Sequence, residues 1–434
     1  MSSTPDTLRR RLLLAGSAAA AAAGVGFLPA SSRASSLGCP SVGQPTEINV
    51  VGNSFPVVAH VARIAEACTR PGSKVRFKLT PQARIETEQA YASRGASPFD
   101  AAVVSMAVFG NLYARRQLAP LTALVDKYRD RYRIEERMLV RVDGEVMAIA
   151  FIQNTQNLYY RADLLIRHGL AVPDTYAAMV QVAQALRAAE PTLAHPIAQS
   201  FAGGYDIATE FTNVLSSLGG RYFAAGSSRP AFDDAAGVAA VETMRSLLPQ
   251  MTPNALASNA DDVVNQFQQG KAALGVLWAS RAARMDDPAA SRVVGLMQFA
   301  PAPAARARGT SAAHLWWDGV AFPANAPARR EATFQVLMEA LGEASVRSGN
   351  DLAIWVRSAY RPGRLGAGVA LQQKAGSPEW PSDPGFSLAH GELGKVLPDA
   401  MIGRRSPRAA LADAAAAYAR AAVEKGILSA GAAT

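Results

Sequence analysis

The residues of this sequence best suited to hold a small molecule are amides, hydroxyls, a carboxylate and aromatic rings near the ends of predicted strands. Amide, hydroxyl and carboxylate groups can form paired hydrogen bonds to neighbouring hydroxyls. Indole rings offer flat apolar area that suits the C–H face of a sugar ring. The candidates are Asn53, Ser54, Ser105, Gln153, Asn154, Trp278, Trp317, Asp318 and Trp355.

Two considerations weigh on these candidates. A tryptophan in a strand more often belongs to the core than to a binding site, and Trp316 and Trp317, being adjacent, point to opposite faces of a strand. Asp318 is costly to bury without a partner. The segment around Asp318 is therefore predicted to be open to a ligand.

Motifs for catalysis and for metals are absent from the sequence. Its five histidines (His60, His168, His195, His314 and His390) show no metal-ligand spacing. The sequence also contains no phosphate-binding loop, no nucleotide-binding glycine pattern and no nucleophile elbow. We therefore expect no cofactor, no metal and no catalytic residues.

The surrounding sequence alternates strand and helix signals, with Pro and Gly between them. This alternation predicts a parallel sheet covered on both faces, and in such sheets ligands sit beyond the carboxyl ends of the strands. The predicted strands are 48–51, 75–79, 99–105, 147–152, 195–199, 272–277, 293–299 and 315–322. The predicted helices are 57–68, 83–94, 106–116, 161–168, 174–189, 205–218, 233–248, 261–269, 327–343 and 407–424.

Composition excludes several classes of protein. The chain of 434 residues is 49% hydrophobic and 18% charged, which excludes disorder for most of it. The mean hydropathy of +0.04 excludes a polytopic membrane protein. The net charge of +9 comes from scattered residues rather than a basic stripe, so no nucleic-acid partner is expected.

The N-terminus predicts export. Arg9, Arg10 and Arg11 precede an apolar run that ends in small residues, which is typical of a secretory signal peptide over residues 1–34. The arginine pair is similar to a twin-arginine signal and indicates a periplasmic protein. The alternatives left open are general secretion and retention of the segment as a membrane anchor.

Two cysteines, Cys39 and Cys68, remain in the exported chain. In an oxidising compartment they are predicted to form one disulfide, closing a loop of about 30 residues. The alternative is two unpaired thiols.

Several segments, in order along the chain, resemble the extracellular solute-binding proteins of ABC transporters, of the type that binds maltose. None of these segments is specific alone, and their common order carries the resemblance. They are residues 99–106 (FDAAVVSM), 110–122 (GNLYARRQLAPLT), 143–151 (DGEVMAIAF), 158–165 (LYYRADLL), 169–176 (GLAVPDTY), 218–220 (LGG), 267–274 (FQQGKAAL) and 319–324 (GVAFPA). The sequence departs from the family pattern at Ala150, Arg161, Ala162 and Tyr176, and in having Asn53-Ser54-Phe55 after the first strand.

The resemblance implies an α/β protein with the two-lobed fold of type II periplasmic binding proteins and a ligand cleft between its lobes. We expect the N-terminal lobe to comprise 45–152 plus 312–345, and the C-terminal lobe 153–311 plus 346–434. The chain would cross between lobes near 152–158, 308–314 and 345–360.

The resemblance further implies a monomer that binds a sugar or polyol by hinge closure and passes it to the permease subunits of an ABC importer. Two alternatives stay open at this point. One is a periplasmic enzyme exported by the twin-arginine route, and the other is a ligand sensor for a membrane receptor. A cationic solute such as a polyamine ranks lower, because only Asp318 among the acidic residues is well placed for it.

Overall fold

A computed structural model describes residues 47–67, 74–363, 366–378, 380–381, 383 and 385–429. The predicted signal segment 1–34 lies outside the described residues, as do Cys39 and Cys68 of the predicted disulfide.

Ten strands are found within the described residues. They are β1 (Glu47–Gly52), β2 (Lys74–Leu79), β3 (Ala101–Ser105), β4 (Leu139–Val142), β5 (Glu145–Asn154), β6 (Gln156–Arg161), β7 (Leu274–Trp278), β8 (Met297–Ala300), β9 (Trp316–Ala321) and β10 (Ile354–Trp355).

Fourteen α-helices surround these strands in the described part of the chain. They are α1 (Pro56–Ala67), α2 (Ala83–Ala92), α3 (Met106–Ala114), α4 (Thr122–Tyr132), α5 (Ala162–Arg167), α6 (Tyr176–Ala189), α7 (Tyr205–Ser217), α8 (Ala235–Leu247), α9 (Ala260–Gln268), α10 (Arg330–Ala340), α11 (Glu343–Ser348), α12 (Ala367–Ala375), α13 (Phe386–Met401) and α14 (Pro407–Glu424).

The first lobe is built on a mixed sheet with the strand order β10-β5-β9-β3-β1-β2, to which β4 adds beside β5. β1, β2 and β3 are parallel to one another, and β9 runs antiparallel to both of its neighbours, β3 and β5. Successive side chains of a strand point to opposite faces of the sheet. Val50 therefore packs with α1 and α10 on one face, and Val51 packs with α2 and α3 on the other. The carboxyl ends of β1, β3 and β5 consequently meet at one edge, where β9 begins.

The second lobe is built on a three-stranded antiparallel sheet with the order β7-β6-β8. One face carries the large core shared by α6, α7, α8, α13 and α14. The other face is covered by α9 and the 3₁₀ turn Ala279–Asp286. The antiparallel order differs from the parallel sheet expected from the strand and helix alternation, since β6, β7 and β8 are far apart along the chain and the alternation does not set their direction.

The chain crosses between the two sheets at Thr155, between β8 and β9, and after β10. The second lobe was expected to begin again at residue 346. However, α11 contacts α1, and β10 pairs with β5 in the larger sheet. Residues 346–355 therefore lie with the first lobe, and α12, which contacts β6 and β8, is the first later helix of the second lobe.

The α/β fold class is confirmed, and most predicted elements lie within a few residues of their expected positions. The segment 195–199 is an exception, because only Ile197 forms an isolated bridge, to Leu274. Several described elements are not predicted from the sequence: β4, β6, β10, α11, α12 and the long helix α13, whose interior contains Pro398.

Candidate functional site

One edge of the larger sheet gathers most of the predicted ligand-binding residues. Ser105, the last residue of β3, stands opposite Asp318 of β9, and Trp317 stands opposite Gln153 of β5. The other predicted residues at this edge are Asn53 and Ser54 after β1 and Asn154 at the end of β5. Strand direction explains this gathering, since the carboxyl ends of parallel strands share one edge.

Asp318 is the carboxylate at the centre of this edge. Its backbone lies between Ser105 of β3 and Ile152 of β5. No described residue forms a hydrogen bond or an ion pair with its side chain. Burial raises the pKa of the Asp318 carboxyl to about 7. The group is thus a desolvated acid without a protein partner in the described chain.

Polar side chains without hydrogen bonds to described residues lie at the same edge as Asp318. Ser105 is the N-cap residue of α3, yet its hydroxyl makes no capping hydrogen bond. Ser54 is exposed and Asn53 half-buried, and neither side chain forms a hydrogen bond with a described residue. These groups are available to an incoming solute.

The residue of the second lobe that feels the charge of Asp318 is Tyr205. Tyr205 begins α7 and is 50% exposed. Burial of its hydroxyl is the main cause that raises the Tyr205 pKa, and the charges of Asp206 and Asp318 add to this rise. Tyr205 of the second lobe therefore lies within electrostatic range of Asp318.

Two glycines bring α13 against the start of α7. The amide N–H of Gly204, at φ 89°, donates to the Gly394 carbonyl over 3.0 Å. A Cβ on Gly394 would lie 2.3 Å from the Gly204 carbonyl oxygen. This close approach places the His390 ring 5.2 Å from the Tyr205 ring.

Aromatic rings continue from His390 across the cleft. The ring of Trp380 lies 5.7 Å from His390 and 4.7 Å from Trp316, and Trp316 lies 6.0 Å from Trp278. The indole N–H of Trp380 is buried and forms no hydrogen bond with a described residue. We call Tyr205, His390, Trp380, Trp316 and Trp278 the aromatic row.

The adjacent tryptophans of β9 divide between the lobes, as strand alternation requires. Trp316 belongs to the aromatic row, whereas the Trp317 ring packs edge-on against Phe109 of α3 at 5.3 Å. Trp316, Trp380, Tyr205 and His390 were not among the predicted site residues. The local sequence signal for Tyr205 is the glycine pair 203–204, which precedes α7 and places Tyr205 at the start of this helix.

Trp355 lies in the core of the first lobe and not at the cleft. It is 2% exposed, and its indole N–H donates to the Gly349 carbonyl over 2.8 Å. Its ring packs against His60 and Phe151. Because its polar atom and its faces are all occupied, we leave Trp355 out of the site.

Gln153 and Asn154 connect the lobes at the first crossing. Asn154 Nδ2 donates to Ser280 Oγ over 3.1 Å, and Asn154 Oδ1 accepts from the Ser280 amide over 3.2 Å. Gln153 Oε1 accepts from Gln373 Nε2 of α12 over 2.9 Å. Since both amides are engaged across the crossing, they are suited to govern lobe movement.

Buried polar side chains connect α7 with two of the segments where the chain crosses between the lobes, on the side of the second lobe. Glu210 accepts hydrogen bonds from Gln156 Nε2 (2.8 Å) and Gln199 Nε2 (2.6 Å). Asn213 Nδ2 donates to Gln156 Oε1 over 2.6 Å, and Asn213 Oδ1 accepts from His314 Nδ1 over 2.7 Å. Gln156 follows the first crossing and His314 precedes β9, so α7 braces both. We call these five residues the hinge brace.

Burial sets the ionisation of the hinge brace. It raises the pKa of Glu210 to about 8, although the two amide donors act in the opposite direction. It lowers the pKa of His314 to about 4. At neutral pH, His314 is therefore uncharged.

The described residues contain no group of three or more His, Cys, Asp or Glu side chains placed to hold a metal ion. Among the described helices, none is both long enough and apolar enough to cross a membrane.

The arrangement of two sheets around a cleft matches a known family. The family model for bacterial extracellular solute-binding proteins matches residues 59–341. The chain belongs to this family. A search of curated proteins finds no match.

Solved structures of solute-binding proteins share the fold. An ABC transporter solute-binding protein of Agrobacterium radiobacter K84, in complex with ribitol, is 20% identical with a TM-score of 0.72, covering 86% of this chain and 98% of that one. Maltose-bound MalE3 of T. maritima is 18% identical with a TM-score of 0.71, covering 86% and 99%. A solute-binding protein of Agrobacterium vitis S4 with bound D-mannitol is 18% identical with a TM-score of 0.68, covering 88% and 99%.

Proposed function

We propose that this solute-binding protein takes a sugar or polyol between its two lobes and delivers it to the permease of an ABC importer. The observation that carries the proposal is the unpartnered carboxylate of Asp318, which stands opposite Ser105 in one lobe and whose charge reaches Tyr205 of the other. Carboxylate, hydroxyl and aromatic groups together suit a solute with several hydroxyls. The similar structures that hold ribitol, maltose and D-mannitol support the same class.

The proposed mechanism is hinge closure. Solute that contacts Asp318 and Tyr205 at once binds the closed state better than the open one, and this difference shifts the population. A change from mostly open to mostly closed needs about 5 kcal/mol of differential binding. The division into lobes 45–152 plus 312–345 and 153–311 plus 346–434 is part of the proposal, with 346–355 moved to the first lobe.

Isothermal titration of the purified protein against ribitol, D-mannitol, maltose and a panel of other sugars and polyols tests the proposal. We expect at least one binder, and Asp318→Ala should weaken it by about 1 kcal/mol or more, as loss of a charged hydrogen-bond partner does. Asp413→Ala, a change to a surface carboxylate paired with Arg405, is the matched control and should bind normally. No binder in the panel, or turnover of any of the solutes, would overturn the proposal.

Small-angle scattering tests closure separately. The radius of gyration should fall when the bound solute is added, and it should not change when a non-binding sugar is added. An unchanged scattering curve with a saturating binder contradicts hinge closure.

The localisation proposed here is the periplasm, with residues 1–34 removed on export, and the mature protein is proposed to be a monomer. Replacing Arg9 and Arg10 by lysine should block export if the twin-arginine route is used. The same replacement at the adjacent pair Arg115 and Arg116 serves as control. Export of the first variant at the normal level contradicts that route.

A further inference from the structure

We propose that the solute carries a cationic amine that pairs with Asp318 inside the cleft, as in an amino sugar or an amino polyol. This inference rests on the proposed function and narrows its solute class. It follows from three features: an uncompensated carboxylate, an acid next to Tyr205 on α7, and the aromatic row.

The first feature becomes clear by comparison with Asp100, another carboxylate of the first lobe. Asp100 is 2% exposed, but it is ion-paired with Arg329 over 2.8 Å and accepts the Asn49 amide over 2.9 Å. Buried charges are normally paired in this way. No described lysine, arginine or histidine pairs with Asp318, and burial alone accounts for its raised pKa. Its missing partner is therefore expected to arrive with the solute.

The charged residue next to Tyr205 on α7 is an acid. Asp206 follows Tyr205 in the first turn of α7, and burial followed by the charge of Asp261 raises its pKa to about 6. The charge of Arg281 acts against that rise. Arg281 is itself ion-paired with the Asp261 carboxylate over 3.5 Å. Burial lowers the pKa of His390, the histidine beside Tyr205, to about 4, so it is neutral at pH 7.

The aromatic row provides the third feature. Indole and phenol faces attract an ammonium group through their electron-rich π-systems, most strongly when water is excluded. Tyr205, Trp316 and Trp278 are each part-exposed at the cleft. A cation held by Asp318 thus finds both its countercharge and ring faces in the same space.

A neutral solute and an amine differ in the protonation state of Asp318 that they bind. It leaves the carboxylate charge uncompensated, so the bound form keeps the proton on Asp318 and affinity does not rise with pH. An amine binds the ionised carboxylate and displaces that proton. Tyr205 of α7 lies within electrostatic range of Asp318, and Asp206 follows it in the same turn. Ser105 and Ile152 on the flanking strands carry no charge.

Matched pairs of solutes test the inference: D-glucitol with 1-amino-1-deoxy-D-glucitol, D-glucose with D-glucosamine, and D-galactose with D-galactosamine. In titration calorimetry at pH 7, the amine of at least one pair should bind about tenfold or more tightly than its neutral counterpart. Asp318→Asn should reduce this preference to about threefold or less, with Asp413→Asn as control.

Proton release provides a readout that needs no variant. Titration of the amine in two buffers of different ionisation enthalpy should show protons leaving the protein at pH 7 and not at pH 9. Neutral solutes that bind as tightly as their amines, or amine binding with no proton released at pH 7, overturn this inference but not the proposed function. Failure of every amine and every neutral solute to bind overturns both.

Discussion

Asp318 and Asp100 show how one residue type takes two roles in the same sheet. Asp100 is held by Arg329 and the Asn49 amide and stabilises the first lobe. Asp318 has no such partner among the described residues, so burial of its charge destabilises the empty protein. A group that costs stability and is aimed at a cleft is typical of a binding site.

Asp318→Asn should therefore stabilise the solute-free protein. The folded pKa of Asp318 is raised to about 7, so its contribution to stability is present at low pH and is lost as pH rises through 7. The gain should be small at pH 5 and about 1 kcal/mol or more at pH 8. Thermal unfolding of both proteins at the two pH values checks this, and a variant less stable at pH 8 contradicts it.

At the scale of elements, α7 connects the site with the hinge. Its first residue, Tyr205, feels the charge of Asp318, and its middle residues Glu210 and Asn213 belong to the hinge brace. The residue before it, Gly204, contacts Gly394 of α13. Changes along this one helix should therefore affect stability and binding together.

Gly394→Ala tests the contact between α13 and α7. The new Cβ would meet the Gly204 carbonyl oxygen at 2.3 Å and push the helices apart, costing about 1–3 kcal/mol of unfolding free energy. Solute binding should weaken as His390 moves from Tyr205. Gly391→Ala on the same helix is the control, because its Cβ would meet nothing within 4 Å. Chemical denaturation and calorimetry measure the two effects, and equal behaviour of the variants rules the contact out.

Glu210→Gln tests the hinge brace. Both carboxyl oxygens of Glu210 accept from side-chain amides, so the amide NH2 group of the new glutamine would face another N–H donor. The expected loss of unfolding free energy is about 1–3 kcal/mol. Glu242→Gln on α8, where the exposed carboxylate pairs with Arg245, should be nearly neutral. Denaturation midpoints that do not differ between these two variants refute the structural role of the brace.

At the scale of the whole molecule, buried titratable groups define a pH range of stability. Burial raises the pKa of Asp206 to about 6, that of Asp318 to about 7 and that of Glu210 to about 8. These groups favour folding at low pH, and their contribution is lost as pH rises through those values. His314 and His390, lowered to about 4, favour folding above their ordinary pKa, and this contribution is lost as pH falls towards 4.

The two sets together predict a Tm that falls as pH increases from about 6.5 to 8.5, where only the carboxyl groups contribute. Calorimetry of the solute-free protein across this range checks the slope. Asp318→Asn should make it shallower, and a Tm that rises over the same range contradicts the assignment.

The local pattern of apolar residues in the sequence determined the positions of many strands and helices. The periods of apolar residues placed β1, β3, β9 and most helices, because each needs one buried face whatever its neighbours are. The rule that ligands sit beyond strand carboxyl ends predicted Ser105. Asp318 was predicted from the cost of burying its charge, and the register of β3 with β9 brings the two residues together.

Only the tertiary structure decided what faces that edge. Tyr205, His390 and Trp380 come from distant parts of the chain and meet through the packing of α7 with α13 and the turn before it. Trp355 has the same residue type as Trp278, yet it is buried because β10 joins the larger sheet beside β5. Sequence spacing records which residues are near in the chain, whereas strand direction and contacts between lobes depend on all the surfaces that must be buried at once.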